Sequence, residues 1–204
     1  GRLLALMLCA IFILFFLYID YRNKHVSLNR QFDEVVRRIS ESSLPNDYLE
    51  KIKPIMVLIP AFNEEENLKE LLKQIPDSVM GLQVGCMVVD DGSDDQTMEV
   101  VNKHNFLCVR NLVNRGQGSA SRLGYDILRK ANLSVVVTLD ADNQHDPAEI
   151  SCLIKPILDN KSQLVIGSRR LGKEEYENII RSIGVRVLTF VINFITGKKL
   201  TDCS

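Results

Sequence analysis

The sequence has no excess of charge of either sign. Its 25 Lys and Arg against 26 Asp and Glu leave a net charge of −1, which removes the electrostatic footprint expected of a nucleic-acid binder. No nucleic-acid partner is expected. Cysteine pairing is also lacking. The five cysteines (Cys9, Cys86, Cys108, Cys152, Cys203) are odd in number, widely scattered and free of C-x-x-C spacing, so neither a disulfide framework nor a zinc site is expected and a reducing compartment fits best. Histidine is sparse: His25 and His104 sit in polar stretches without partners at ligand spacing, and His145 reads as a surface or capping residue. Apolar residues, by contrast, make up 46% of the 204 positions, enough for one cored domain plus an appendage.

Those apolar residues are unevenly placed. From Leu3 to Ile19 every residue is apolar or Tyr, a run that as a helix reaches about 25 Å at ~1.5 Å per residue, close to the thickness of a bilayer core. Residues 1–20 are therefore expected to be a transmembrane helix. A signal peptide would have a shorter apolar region and a small-x-small cleavage site, which does not precede Asp20-Tyr21-Arg22. Only Arg2 precedes the run, whereas Arg22, Lys24, Arg30, Arg37 and Arg38 follow it. Positive flanks stay inside, so a single-pass membrane protein with the rest of the chain facing the cytosol is expected. Residues 21–53 are polar and charged, with Val26, Leu28, Phe32, Val35, Val36 and Ile39 at helical spacing. They read as a surface helix forming a juxtamembrane connector, broken at Ser42 to Asp47.

From Ile55 short apolar runs alternate with helical periodicity. Strands are expected at Ile55 to Ile59, Val84 to Val89, Leu107 to Leu112, Ser134 to Leu139 and Leu164 to Ile166, with helices near Glu64 to Gln74, Asp95 to His104, Gln117 to Lys130 and Pro147 to Leu158. Parallel β-α-β units follow, hence an α/β doubly wound sheet. Asn63 with Glu66, and Asp146 before Pro147, supply helix starts. Ligands of such sheets gather beyond the carboxyl ends of the strands. Pro60 to Glu64, Asp90 to Ser93 and Asp140 to Gln144 all fall at that edge.

Asp140 and Asp142 flank Ala141 at a strand end, so in an extended segment both carboxylates point the same way. A hard divalent ion, Mg²⁺ or Mn²⁺, relieves their repulsion, and Gln144 can add an amide oxygen. The bland alternative makes Asp142-Asn143 a turn and Asp140 a cap. Asp90-Asp91-Gly92-Ser93 is likewise either a capping turn or a carboxylate site for a base or ribose. Gly116-x-Gly118 resembles a dinucleotide fingerprint, but Ser121 stands at the third glycine position and the loop follows the third strand rather than the first. An NAD enzyme is not expected.

The order of these segments carries more than any one of them. Val57 to Leu68, Val88 to Ser93, Asn114 to Ala120, Asp140 to Pro147 and Gly167-Ser168-Arg169 resemble, in order over roughly 54 to 170, the family 2 glycosyltransferases of GT-A fold, nearest the dolichyl-phosphate mannose synthase and polyprenyl-phosphate branch. The resemblance implies a GT-A core over 54–172. It implies donor contacts at Pro60, Phe62 and Glu64, with Phe62 in place of the usual Tyr, and at Val89 with Asp90 or Asp91. It further implies a metal on Asp140, Asp142 and Gln144, Ala141 packed on the donor, Gly118 in the family's N-x-G-x-G-x-A loop, and Arg169 on donor or acceptor phosphate, Asp142 and Arg169 being the catalytic pair. Gln117 stands where many members have Lys.

The activity so implied is inverting transfer from a nucleotide-sugar. A lipid phosphate acceptor is already ionised near neutral pH, whereas a sugar hydroxyl needs a base. No base is evident beyond Asp146 and Asp202, so a polyprenyl (dolichyl-type) phosphate at the membrane is favoured, with a hydroxyl acceptor in polysaccharide or glycolipid synthesis as the alternative. Residues 173–204 read as an amphipathic, membrane-associated segment of an incomplete acceptor region. The terminal Leu200 to Ser204 resembles the family's Asp-x-x-Ser-Gly-Phe-Arg segment cut short.

Overall fold

A computed structural model describes residues 2–45, 47–167, 189 and 192, with only the backbone described for 2–10. The chain forms two compact units, Gly1–Ser151 and Cys152–Ser204. The first holds the sheet. Its elements run α1 (Arg2–Ser42), β1 (Ile55–Ala61), α2 (Glu65–Gln74), β2 (Ser78–Val79), β3 (Leu82–Asp90), α3 (Thr97–Lys103), β4 (Leu107–Arg110), α4 (Gln117–Leu128) and β5 (Val135–Thr138), and α5 (Ile150–Leu158) begins at its end.

β1 lies between β3 and β5 and is parallel to both, with Ile55 opposite Val84 on one side and Val135 on the other. β4 extends the sheet beyond β3, again parallel, with Met87 opposite Leu107. Every residue of β1 is buried, as a central parallel strand covered on both faces requires. The chain steps from β1 through β3 to β4 in one direction, and α4 then carries it back across to the far side of β1. Right-handed crossovers put α2 and α3 on one face and α4 on the other, and α2 packs with α3 while α4 packs on β1 and β3. The face under α4 is closed by Met56, Leu58, Met87, Val89, Leu107, Val109, Leu123 and Ile127. The strand order reverses between β1 and β5. A crevice opens there, beyond their carboxyl ends.

Several expectations need correction. The expected span 1–20 and connector 21–53 share one helix, α1, which runs without interruption to Ser42. Its last turns dock on the domain, burying Val36 and Ser40. Among the described residues no helix is long and apolar enough to cross a membrane; the side chains of 2–10, half of the expected span, lie outside those residues. Leu164 to Ile166 is irregular, with Leu164 and Ile166 exposed. No strand pairs with it among the described residues, and an unpaired run this short has nothing to hold it extended. β2 was not expected. It folds back on the start of β3 through Met80-Gly81, both at positive φ (52° and 81°), the two-residue hairpin geometry that Asn-Gly usually signals. The helix expected from Pro147 to Leu158 begins as a 3-10 turn at Pro147–Glu149, with Asp146 Oδ1 accepting from the Ala148 amide at 2.8 Å. Residues 173–204 lie outside the described residues, apart from 189 and 192.

Candidate functional site

The crevice is a cleft of about 300 Å³ built from loops at the carboxyl edge of the sheet. Pro60, Ala61, Phe62 and Glu64 come from the end of β1 and the loop after it, Asp91 from beyond β3, Asn114 and Gly116 from the β4–α4 turn, Gln117 and Ala120 from the first turn of α4, and Asp140, Ala141 and Asp142 from beyond β5. Sequence-distant segments meet because parallel strands all deliver their carboxyl ends to one edge. Phe62, 41% exposed, offers an aromatic face at the cleft. Asn63, next along, takes φ 56° and turns the backbone.

Asn63 does not cap α2 with its side chain. Its Oδ1 accepts from the Asp94 amide at 2.9 Å, and its own N–H donates to Ser93 Oγ at 2.9 Å. The N-cap position falls to Glu64, and Asn63 ties the loop after β1 to the loop after β3.

The adjacent aspartates after β3 do different work. Asp90 is fully buried, with Oδ1 accepting from the Ser93 amide at 2.9 Å and from Ser93 Oγ at 2.5 Å. Its Oδ2 has Arg110 Nε at 3.4 Å but no hydrogen bond. Asp91, 2% exposed, accepts from Asn111 Nδ2 on Oδ1 at 2.7 Å, and from the amides of Arg115 at 3.0 Å and Gly116 at 2.6 Å on Oδ2. It fastens the β4–α4 turn to the end of β3. Of the expected base and ribose contacts, Asp91 lines the cleft; Val89 belongs to the core under α4 and Asp90 lies beneath the loop.

After β5 ends at Thr138 the chain turns, with Asn143 at φ 59°. Strand alternation therefore is not what places Asp140 and Asp142 together. The turn does, and both carboxylates still line the cleft. Asp140 Oδ1 accepts from Gln117 Nε2 at 2.5 Å, and its Oδ2 lies 3.9 Å from His145 Nε2. Asp142 Oδ1 accepts from the Gln144 amide at 3.0 Å. Among the described residues no three His, Cys, Asp or Glu side chains gather as a metal-binding group. Asp140 and Asp142 are a hard-oxygen pair with lone pairs left over, and so fit Mg²⁺ or Mn²⁺ in donor chemistry.

Gly118 does not line this cleft. It lies on the opposite side of the first turn of α4, in a second cleft of about 540 Å³ shared with Arg30, Asp33 and Arg37 of α1. Arg169 lies outside the described residues. Gln117, which stands where many members of the family have Lys, was not expected as a partner of Asp140. Sequence reasoning also missed Asn111, buried between Ser40 Oγ at 3.2 Å and Asp91. Asn111 was hidden because the expected strand ran on to Leu112, whereas β4 ends at Arg110 and leaves Asn111 at its carboxyl end.

A mostly parallel α/β sheet with carboxylates collected at its topological switch defines a doubly wound domain that holds its ligand at that edge. Residues 56–204 match the glycosyl transferase family 2 model, and the chain belongs to that family. It is 35% identical over 150 residues to an uncharacterized protein of Methanocaldococcus jannaschii, covering 72% of this chain and 60% of that one. It is 27% identical to a UDP-N-acetylglucosamine–dolichyl-phosphate N-acetylglucosaminyltransferase of Methanococcus voltae, covering 74% and 66% of the two chains. Identity to a dolichol-phosphate mannosyltransferase of Pyrococcus furiosus is 38%, covering 61% of this chain and 35% of that one. The chain thus spans between about a third and two thirds of the length of these relatives.

Proposed function

We propose that the chain is the nucleotide-sugar-binding part of a glycosyltransferase that moves a sugar, with inversion, onto a polyprenyl phosphate of dolichyl type at the cytosolic face of a membrane. The observation that carries the reading is the meeting of Phe62, Asp91, Asp140 and Asp142 in one cleft at the switch point of a family 2 chain. Phe62 and Pro60 would take the planar base, while Glu64 and Asp91 stand where base or ribose donors would be received. Asp140, Asp142 and Gln144 would hold Mg²⁺ or Mn²⁺. Bound there, such an ion supplies positive charge beside the departing diphosphate. Gln117 would keep Asp140 turned into the cleft, Ala141 would pack on the donor, and Arg169 would meet a phosphate. A lipid phosphate attacks as an anion and needs no strong general base.

The relatives named for dolichyl-phosphate acceptors support that choice. The unbroken exposure of the apolar side chains from Ile11 to Ile19 supports lipid surroundings for the start of α1. The test is transfer of radiolabelled sugar from UDP- and GDP-sugars, with Mg²⁺, to polyprenyl phosphate and to saccharide acceptors offered side by side. Label should appear in the lipid phosphate and fall by at least about a hundredfold in Asp142→Ala. Unchanged transfer in that variant would sink the metal assignment, and label in a hydroxyl-linked product would overturn the acceptor.

A further inference from the structure

The docked end of α1 grips the cleft wall. Asp33 Oδ1 accepts from Arg115 Nε at 2.8 Å and also from Nη2 of the same guanidinium, and the Phe32 ring lies 4.9 Å below that guanidinium. Farther along α1, Ser40 donates to Asn111 Oδ1. Asn111 and Arg115 belong to the turn between β4 and α4. Asp91 holds the same turn from within, through Asn111 Nδ2 and the amides of Arg115 and Gly116. The residues next along, Gly116 and Gln117, face the cleft, and Gln117 reaches Asp140.

We propose that α1 is a positioning element of the donor site, with Asp33 acting through Arg115 to press the 111–117 turn onto Asp91 so that Gly116 and Gln117 form the cleft wall. The proposal rests on the donor-site reading given above. Ordinary surface ion pairs contribute little, but this one is partly sheltered, with Asp33 42% and Arg115 24% exposed in their side chains. A planar guanidinium stacked on an aromatic ring and donating through two N–H groups is also more tightly oriented than an ammonium. The pair between Lys130 Nζ and Glu41 Oε2, at 2.8 Å, is the natural contrast. It joins α1 to the region just past α4 but touches nothing in the turn.

The experiment uses the whole chain in detergent or nanodiscs and reads amide hydrogen exchange at Arg115 and Gly116 in the free protein, then UDP and GDP affinity with Mg²⁺. Asp33→Asn should speed exchange at those amides and weaken nucleotide binding by about fivefold each, the size of one modest ion pair. Asp33→Glu should recover both, and Lys130→Gln should move neither. Unchanged exchange in Asp33→Asn, or equal effects from Lys130→Gln, would overturn the proposal, because α1 would then only add stability. Failure of the unaltered chain to bind either nucleotide would sink the donor-site reading alone, since exchange in the free protein still decides the grip of α1.

Discussion

Replacing Asp91 by Asn removes one negative charge and one acceptor while keeping the side chain's shape. In the structure the carboxylate accepts from Asn111 Nδ2 at 2.7 Å, from the Gly116 amide at 2.6 Å and from the Arg115 amide at 3.0 Å, at a site 2% exposed. An asparagine oxygen can keep the two backbone donors, but its NH₂ then meets the NH₂ of Asn111. Rotating the Asn111 amide restores that bond and leaves Ser40 to adjust, so geometry is recoverable and charge is not. Hydrogen bonds to an ionised group contribute roughly 1.5–3 kcal/mol against about 1 for neutral pairs. Losing the charge from all these bonds therefore costs about 2–3 kcal/mol. Asp91→Ala strands the buried donors and costs more. At a urea slope of ~1–3 kcal/mol/M, Asp91→Asn should lower the unfolding midpoint by about 1 M, read by circular dichroism, and should speed exchange at Arg115 and Gly116. An unchanged midpoint would refute the reasoning, because the bonds from Asp91 to the turn would then contribute no charge-dependent stability.

Gly124 lies inside α4, where alanine normally gains about 0.5–1 kcal/mol. A Cβ there would overlap Leu58 Cδ1 and stand 3.0 Å from Cδ2, and Leu58 is fully buried. Overpacking costs ~1–3 kcal/mol, so Gly124→Ala should be destabilising by about 1 kcal/mol in urea titration, and a gain in stability would contradict the packing. Asp95 supplies a pH dependence. Burial opposes its charge, but the hydroxyl and amide of Thr97 and the amide of Glu65 outweigh that and hold the carboxyl below its usual range. A depressed carboxyl stabilises the fold above its unfolded pKa of about 3.9, and that contribution disappears as pH falls through the lower folded value. Asp95→Asn should thus lower the melting temperature at pH 7 and flatten its decline below pH 4; an unaltered acid profile would count against the assignment.

The alternation of Ile55, Val84, Leu107 and Val135 runs with helical stretches was enough to name the sheet and its edge, because a parallel strand covered on both faces reads as a near-continuous apolar run and a doubly wound sheet has one ligand edge. The family motifs then marked the loops. Asn63 misled because a good capping residue is also, glycine aside, among the residues most tolerant of positive φ, and only the presence of Asp94 across the gap decided between those uses. Met80-Gly81 was overlooked because the turn lacks the Asn that usually announces it. Leu164 to Ile166 had strand composition but, among the described residues, no strand beside it.

Alone, the sequence determined the family, the α/β class and the acidic loops at Asp90-Asp91 and Asp140 to Asp142, since these depend on local residue types in a fixed order. Which of the adjacent aspartates faces the cleft, why Gln117 takes hold of Asp140, and that Asp33 reaches Arg115 were decided only in three dimensions. Those choices depend on groups far apart in the chain, whose meeting is set by the crossover of α4 and the docking of α1, and no local pattern encodes which donor will arrive at a buried oxygen.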